Sequence, residues 1–418
     1  MKLLATTFLL MAATALFAQI SPPEAPRQDP CSSAALTNAA KPVHAARKSL
    51  LSLPIGENNE TDVSPAAQQT IISMKDALSS FIRAFMRCAP LQPESSVIQT
   101  ELFKLGDAFE LKLPESRVIP NDQLPPDFGK YGFQLTYRVR LIEDPRLVAI
   151  TAEFSIACGA DTVLLIFAPK DNAWEEVLHW QRKPYDTVAG GTMAFGYDIS
   201  PPDSAGQWYV VVHSIAPWCS STWSRIEYQA LRPTADALEP KVLLSGSDFM
   251  WWGSEDFGRL IVERDYFDLR FHSRSIDVGV HNREWIRRYS VKGDTVQRVQ
   301  PVAVSPRDFV DEWIVSPWEQ ASHWSAESSL GALEQAHNAM SDSKTSDNTL
   351  LEFGSIYGCS EGSCCQVELV EASGPKFENE TSVFFQVCGA ESYKMIRVSQ
   401  VPDPKCSGRD LLDEMSTK

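Results

Sequence analysis

The chain has 418 residues, 44% of them hydrophobic, 22% charged and 10% aromatic. That composition excludes long-range disorder, collagen and coiled coil, and the length leaves room for two or three domains. Its 38 Lys and Arg stand against 54 Asp and Glu, a net charge of −16, which argues against a nucleic-acid or anionic-membrane partner.

Residues 1–18 read as an export signal: Lys2 gives the positive start, residues 3–17 are apolar, and Ala18 precedes a cleavage point at Gln19. The apolar run is too short for a membrane span, and no later run is long enough, so the mature chain is expected to be secreted or periplasmic with no span. Nine cysteines suit an oxidising compartment, and five of them fall in the last 60 residues. Disulfides are favoured over zinc there, because no Cys-x-x-Cys pair occurs and no His follows His337. Nine is odd, so at least one thiol is free or pairs between chains.

Residues 19–63 carry six prolines with little apolar periodicity and are expected to form a flexible arm. Ser64 and Pro65 then start a helix, a capping oxygen followed by a residue of preset φ. Ile71, Met74, Leu78, Phe81 and Phe85 make its apolar face, and Ile98, Leu102, Leu105 and Phe109 that of a second helix. The helical pair occupies 64–113, and a Pro-rich linker follows over 114–130.

From 131 to 305 the period becomes strand-like. Three groups of four short β-branched and aromatic runs are separated by Asp, Gly, Pro and Ser turns. Their second strands begin near 147, 208 and 266, so the pattern repeats. A four-stranded meander buries little alone and needs a stacked neighbour, which favours propeller-like blades over the alternative, a β-sandwich. Cys158 and Cys219 end equivalent strands in two copies and are expected to pair. Residues 306–349 form a helical and loop connection with a stripe of Leu330, Leu333, His337 and Met340. Residues 350–418 form a Cys-rich module with a fourth meander.

Candidate sites compete with plainer accounts. Gly358-Cys359-Ser360-Glu361-Gly362 fits G-x-S-x-G, yet a strand follows and no downstream His exists, so a hairpin turn is the better reading. His272, Asp277 and His281 offer zinc-type ligands at a spacing that matches no motif. Two Ser-x-Asp-x-Gly matches, at Ser254/Asp256/Gly258 and Ser275/Asp277/Gly279, read as turns of the Asp-box kind found in sialidase-type propellers.

Residues 258–307 hold nine Arg and one Lys against six acids, an excess of four positive charges. Arg270, Arg274, Arg283, Arg287 and Arg288, with Trp285, would line an anion-binding groove. The plainer account pairs them across strands with Glu263, Asp265, Asp268 and Glu284. Trp251 and Trp252 beside Glu255 and Asp256 suggest a sugar platform. Without a complete catalytic constellation, the sequence favours an exported non-catalytic binding protein with a glycan or protein partner and no cofactor. The runner-up is an exported glycan hydrolase, which needs two carboxylates about 5–10 Å apart.

Overall fold

The computed structural model describes residues 29–53, 63, 65–92, 94–110, 130–156, 159–182, 191–192, 194–216, 222–234, 239–251, 258–299, 301–346, 348–360, 362–389, 392–407 and 410–411. The export signal and the Cys158–Cys219 pair fall outside these residues.

The segment expected to be a flexible arm holds helix α1 (Ser33–Leu51). Leu36, Ala40, Val43 and Leu50 share one face, and the Ser32 hydroxyl accepts the Ala35 N–H at 3.2 Å to cap the start. Pro42 sits inside this helix, where a proline costs about 3 kcal/mol. Tertiary structure offsets that cost. Ala40, Val43 and Leu50 are buried, the Cys31–Cys88 disulfide ties the helix start to the segment after α2, and Arg47 donates to the carbonyls of Gly132 and Phe133, both at 2.8 Å.

Helix α2 (Pro65–Met86) buries the expected stripe, and α3 (Ser95–Leu105) buries Ile98 and Leu102. The second helix is shorter than its stripe implied. It stops at Gly106, where a Cβ would lie 2.4 Å from the Tyr137 hydroxyl, and Phe109 leaves to bridge Leu135.

Sixteen strands among the described residues form four antiparallel sheets, each a meander in chain order. The first is β1 (Leu135–Ile142), β2 (Leu147–Ile156), β3 (Gly159–Lys170) and β4 (Ala173–Gln181). The second is β5 (Ala194–Ile199), β6 (Val210–Ala216), β7 (Trp223–Arg232) and β8 (Lys241–Trp251). The third is β9 (Arg259–Val262), β10 (Tyr266–Ser273), β11 (Arg283–Lys292) and β12 (Thr295–Arg298). Between it and the fourth lie α4 (Pro306–Val315), α5 (Trp318–Ala321) and α6 (Leu330–Thr345). The fourth is β13 (Thr349–Gly358), β14 (Cys364–Ser373), β15 (Asn379–Cys388) and β16 (Lys394–Ser399).

Side-chain alternation stacks these sheets in propeller-like fashion. On the first sheet, Val148, Ile150, Val163 and Leu165 face the helices, while Leu147, Ala149, Leu164 and Ile166 face the second sheet. On β6, Val210 and Val212 face the first sheet, and Val211 and Ile215, with Tyr209 just before the strand, face the third. Each shared layer removes large apolar side chains from water, at about 1.5–3 kcal/mol apiece. The helices cover the outer face of the first sheet, and α4 and α6 cover one face of the fourth. The protein is therefore mainly β, with N-terminal helices and a disulfide-bearing last sheet.

Two disulfides, Cys359–Cys406 and Cys364–Cys388, staple that sheet, and Cys365 is a buried free thiol. The G-x-S-x-G match lies at the β13–β14 hairpin, with Cys359 in a disulfide. No helix among the described residues is long and apolar enough to cross a membrane.

Candidate functional site

A cleft of about 980 Å³ lies between the first and second sheets. Strand register explains why it is open and polar. On the second sheet, β5 and β6 present Phe195, Tyr197, Ile199, Val210 and Val212 to the first sheet, and these pack in its shared apolar layer. The other half of the same face belongs to β7 and β8. There the register puts Glu227 opposite Ser247 and Gln229 opposite Ser245, with Ser214 beside Glu227. Such side chains gain nothing from an apolar neighbour, so the sheets part over them. Trp180, at the end of β4, forms the opposing wall. Its ring stacks on Phe195 at 4.9 Å, and its indole N–H donates to Gln229 Oε1 at 2.8 Å.

Where the cleft reaches the edge of the first sheet, buried Ser79 and half-buried His179, Arg83 and Glu176 form a relay. His179 Nε2 lies 3.1 Å from Ser79 Oγ, which resembles a nucleophile and its base. The polarity is the reverse of catalytic. Arg83 Nη2 donates to His179 Nδ1 at 3.3 Å, so the ring carries its proton on Nε2 and donates it towards the serine. Burial lowers the imidazole pKa, Arg83 adds to the shift, and Glu176 opposes it. Glu176 is held by Arg83 in a two-pronged ion pair, with Nη2 to Oε1 at 3.1 Å. The relay locks α2 onto β4 and activates no nucleophile.

The arginines of 258–307 are mostly spoken for by carboxylates. Arg288 donates to both Asp268 oxygens, at 2.6 and 2.7 Å, and Arg270 lies 3.7 Å from Glu284. The remaining acids come from outside the segment, and Glu263 and Asp265 are exposed. Arg283 donates to Asp311 of α4 at 2.8 Å. Arg287 donates to Asp248 of β8 at 2.8 Å and Glu312 of α4 at 2.6 Å, and Arg298 also donates to Glu312. The positive excess seen in sequence ends at Arg307, and Asp308, Asp311 and Glu312 follow at once. Trp285 is buried, with Arg283 at 4.2 Å and Arg287 at 4.5 Å from its ring centre.

A smaller cavity of about 400 Å³ opens between the second sheet and α4–α5. Tyr228 and Tyr289 share a hydroxyl hydrogen bond of 2.7 Å at its wall, and Tyr228 also donates to Asp248 at 3.1 Å. Burial, reinforced by Asp248, raises the Tyr228 pKa.

The three metal candidates do not converge. His272 donates to Asn282 Oδ1 at 2.8 Å, and Asp277 accepts from the backbone N–H groups of Gly279 at 2.8 Å and Phe353 at 3.2 Å. His281 lies exposed beside Trp223 and Trp251. No cluster of three or more His, Cys, Asp or Glu fit for a metal occurs among the described residues. The Ser275-x-Asp277-x-Gly279 match is a turn that Asp277 holds against β13. Arg274 extends over Trp223 and Phe249, at 4.8 and 4.9 Å. Trp251 ends β8, whereas Trp252, Glu255 and Asp256 fall outside the described residues.

Sequence reasoning passed over the cleft residues themselves. Their signal was present: Glu227 and Gln229 alternate with Ile226, Tyr228 and Ala230, and β8 breaks its apolar run at Ser245-Gly246-Ser247.

No protein-family model matches the sequence, and no curated protein matches it. Among solved structures the chain is similar to a mutant of the alpha-L-arabinofuranosidase arb93a from Fusarium graminearum, in complex with an iminosugar inhibitor. Identity is 8% and the TM-score 0.25, over 66% of this chain and 64% of that one. A likeness this loose carries no conclusion about activity.

Proposed function

We propose that this chain is an exported binding protein whose ligand lies in the cleft between the first and second sheets. The observation that carries this reading is the polar half of the second sheet, where half-buried Glu227 and Gln229 and exposed Ser245 and Ser247 line the cleft beside Trp180. A volume of about 980 Å³ lies at the upper end of ligand sites, which run to about 1,000 Å³. Export rests on the leader-like residues 1–18 and on disulfides at both ends of the described chain. Binding without turnover is preferred because the Ser79–His179 pair is wired against proton abstraction.

The test is to screen the secreted chain on glycan and peptide arrays beside a Ser245→Trp variant that fills the cleft. Capture by the native chain and its loss in the variant are expected. Capture that survives the filling places the ligand elsewhere and ends this reading. Cleavage of a captured glycan would replace it with the hydrolase reading, and Glu227 and Glu239, both in the cleft lining, would be the first carboxylates to substitute.

A further inference from the structure

Strand β8 ends the second sheet: it pairs with β7 on one side and with no strand on the other among the described residues. An unpaired strand presents a row of free N–H and C=O groups that can template another extended chain. Edges are commonly protected by charge, proline or a covering element. The middle of this one, Leu243 to Phe249, has only Asp248 as a charge and no proline, and Ser245, Ser247 and Phe249 are exposed.

The surroundings of that edge are unusual in one respect. The 980 Å³ cleft lies on one face of β8 and the 400 Å³ cavity on the other, and both are lined by Tyr228, Ser245, Gly246 and Ser247. An added strand points successive side chains to opposite faces. One extended segment on this edge would therefore send alternate side chains into the two cavities, the arrangement by which strand addition gains specificity.

Charge narrows the partner. Glu227 and Glu239 line the cleft, and neither side-chain carboxylate has a hydrogen-bond or ion-pair partner among the described residues. Arg83 is taken by Glu176, and Arg182 is also engaged. In the smaller cavity Arg287 and Arg298 are matched by Asp248 and Glu312, and Val296, Val315 and Pro317 add apolar wall. The whole chain carries −16.

We propose that β8 captures an extended peptide segment by strand addition, with Lys or Arg side chains directed into the cleft and apolar ones into the smaller cavity. This rests on the cleft being the binding site and adds the class of ligand. Affinity would come from main-chain hydrogen bonds to the β8 edge. Selectivity would come from Glu227 on one face and the Tyr228–Tyr289 wall on the other.

The test selects phage-displayed random decapeptides on the full secreted chain, then follows hydrogen exchange of the chain with the selected peptide bound. Selected sequences should alternate basic and apolar residues, and amides within 243–249 should gain protection. Methylating alternate backbone nitrogens of the peptide should abolish binding. Glu227→Gln should weaken a basic peptide about tenfold, the size of a charge-assisted hydrogen bond. Peptides that bind without protecting 243–249, or that tolerate methylation at every alternate position, overturn strand addition. If no peptide is selected but glycan capture is still lost in Ser245→Trp, this inference fails and the cleft reading stands. If neither is seen, both fail.

Discussion

The second sheet meets its neighbours in two ways. Towards the first sheet, β5 and β6 pack apolar side chains while β7 and β8 turn out Glu227, Gln229, Ser245 and Ser247, and the gap stays open as a cleft. Towards the third sheet, polar groups are equally present but closed into a network of Asp248, Arg287, Glu312, Arg298, Tyr228 and Tyr289. The difference is a third element. Helix α4 brings Glu312, whose side chain is 2% exposed, to Arg298, which the described sheet residues leave without a carboxylate, and to Arg287, which Asp248 of β8 already meets. Among the described residues, no comparable element fills the cleft. The same sheet thus has one junction specialised for stability and another left with polar groups facing water.

Breaking the closed junction should have the largest effect. Glu312→Ala leaves Arg298 without its carboxylate and Arg287 with Asp248 alone, and removing one member of a buried ionic network costs about 3–5 kcal/mol. Urea unfolding followed by tryptophan fluorescence would measure it. A loss below about 1 kcal/mol, the value of an exposed pair, would mean that water serves these arginines and the two junctions do not differ.

Acid should weaken the same junction next. His213 is 8% exposed on the face towards the third sheet, with Gly196 beside its ring and Nδ1 without a partner. Burial depresses its pKa to about 4, below the unfolded value of about 6.5. At neutral pH both states are uncharged, so nothing is lost. As pH falls below about 6.5 the unfolded chain takes up a proton that the folded chain refuses until about 4, so stability drops across that window by up to about 3 kcal/mol. Urea melts at pH 7 and 4.5 should show a smaller difference for His213→Gln than for the native chain. Equal differences would assign the acid sensitivity to other groups.

How much of this was legible in sequence varies with the range of the interaction. The four meanders were, because strand period and turn residues are local: WYVVVHSI and YFDLRFHS declare β6 and β10 almost to the residue. Helix α1 was hidden by Pro42, since propensity is local and the compensation from Cys31–Cys88 and Arg47 is not. Helix α4 starts with Ser305-Pro306, the same signal that marked Ser64-Pro65, yet its acids lie just beyond the basic segment they neutralise. A charge window ending at 307 therefore showed only the cross-strand partners Asp268 and Glu284 and missed the acids from α4 and β8 that pair with Arg283 and Arg287. The cleft was spelled by single polar residues within apolar alternation, which gains meaning only once the neighbouring sheet is known to stop short of β7 and β8.

Neighbouring residues on β7 sharpen the comparison at the smaller end of the scale. Tyr228 and Gln229 are consecutive, so they point to opposite faces and sample the two junctions from one strand. Tyr228→Phe removes the hydrogen bonds to Tyr289 and Asp248 within a closed network, where leaving a buried partner unmet costs about 1–3 kcal/mol. Gln229→Ala also removes a hydrogen bond, from the Trp180 indole at 2.8 Å, but that bond borders the cleft and water can replace the amide. Its cost should stay within about 0.5 kcal/mol, as for a surface substitution, while the freed Trp180 ring shifts its fluorescence to the red. Unfolding midpoints of the two variants, measured side by side, should separate clearly. If Gln229→Ala proves as costly as Tyr228→Phe, the cleft wall is part of the packed structure, and its polar residues are held for stability instead of for a ligand.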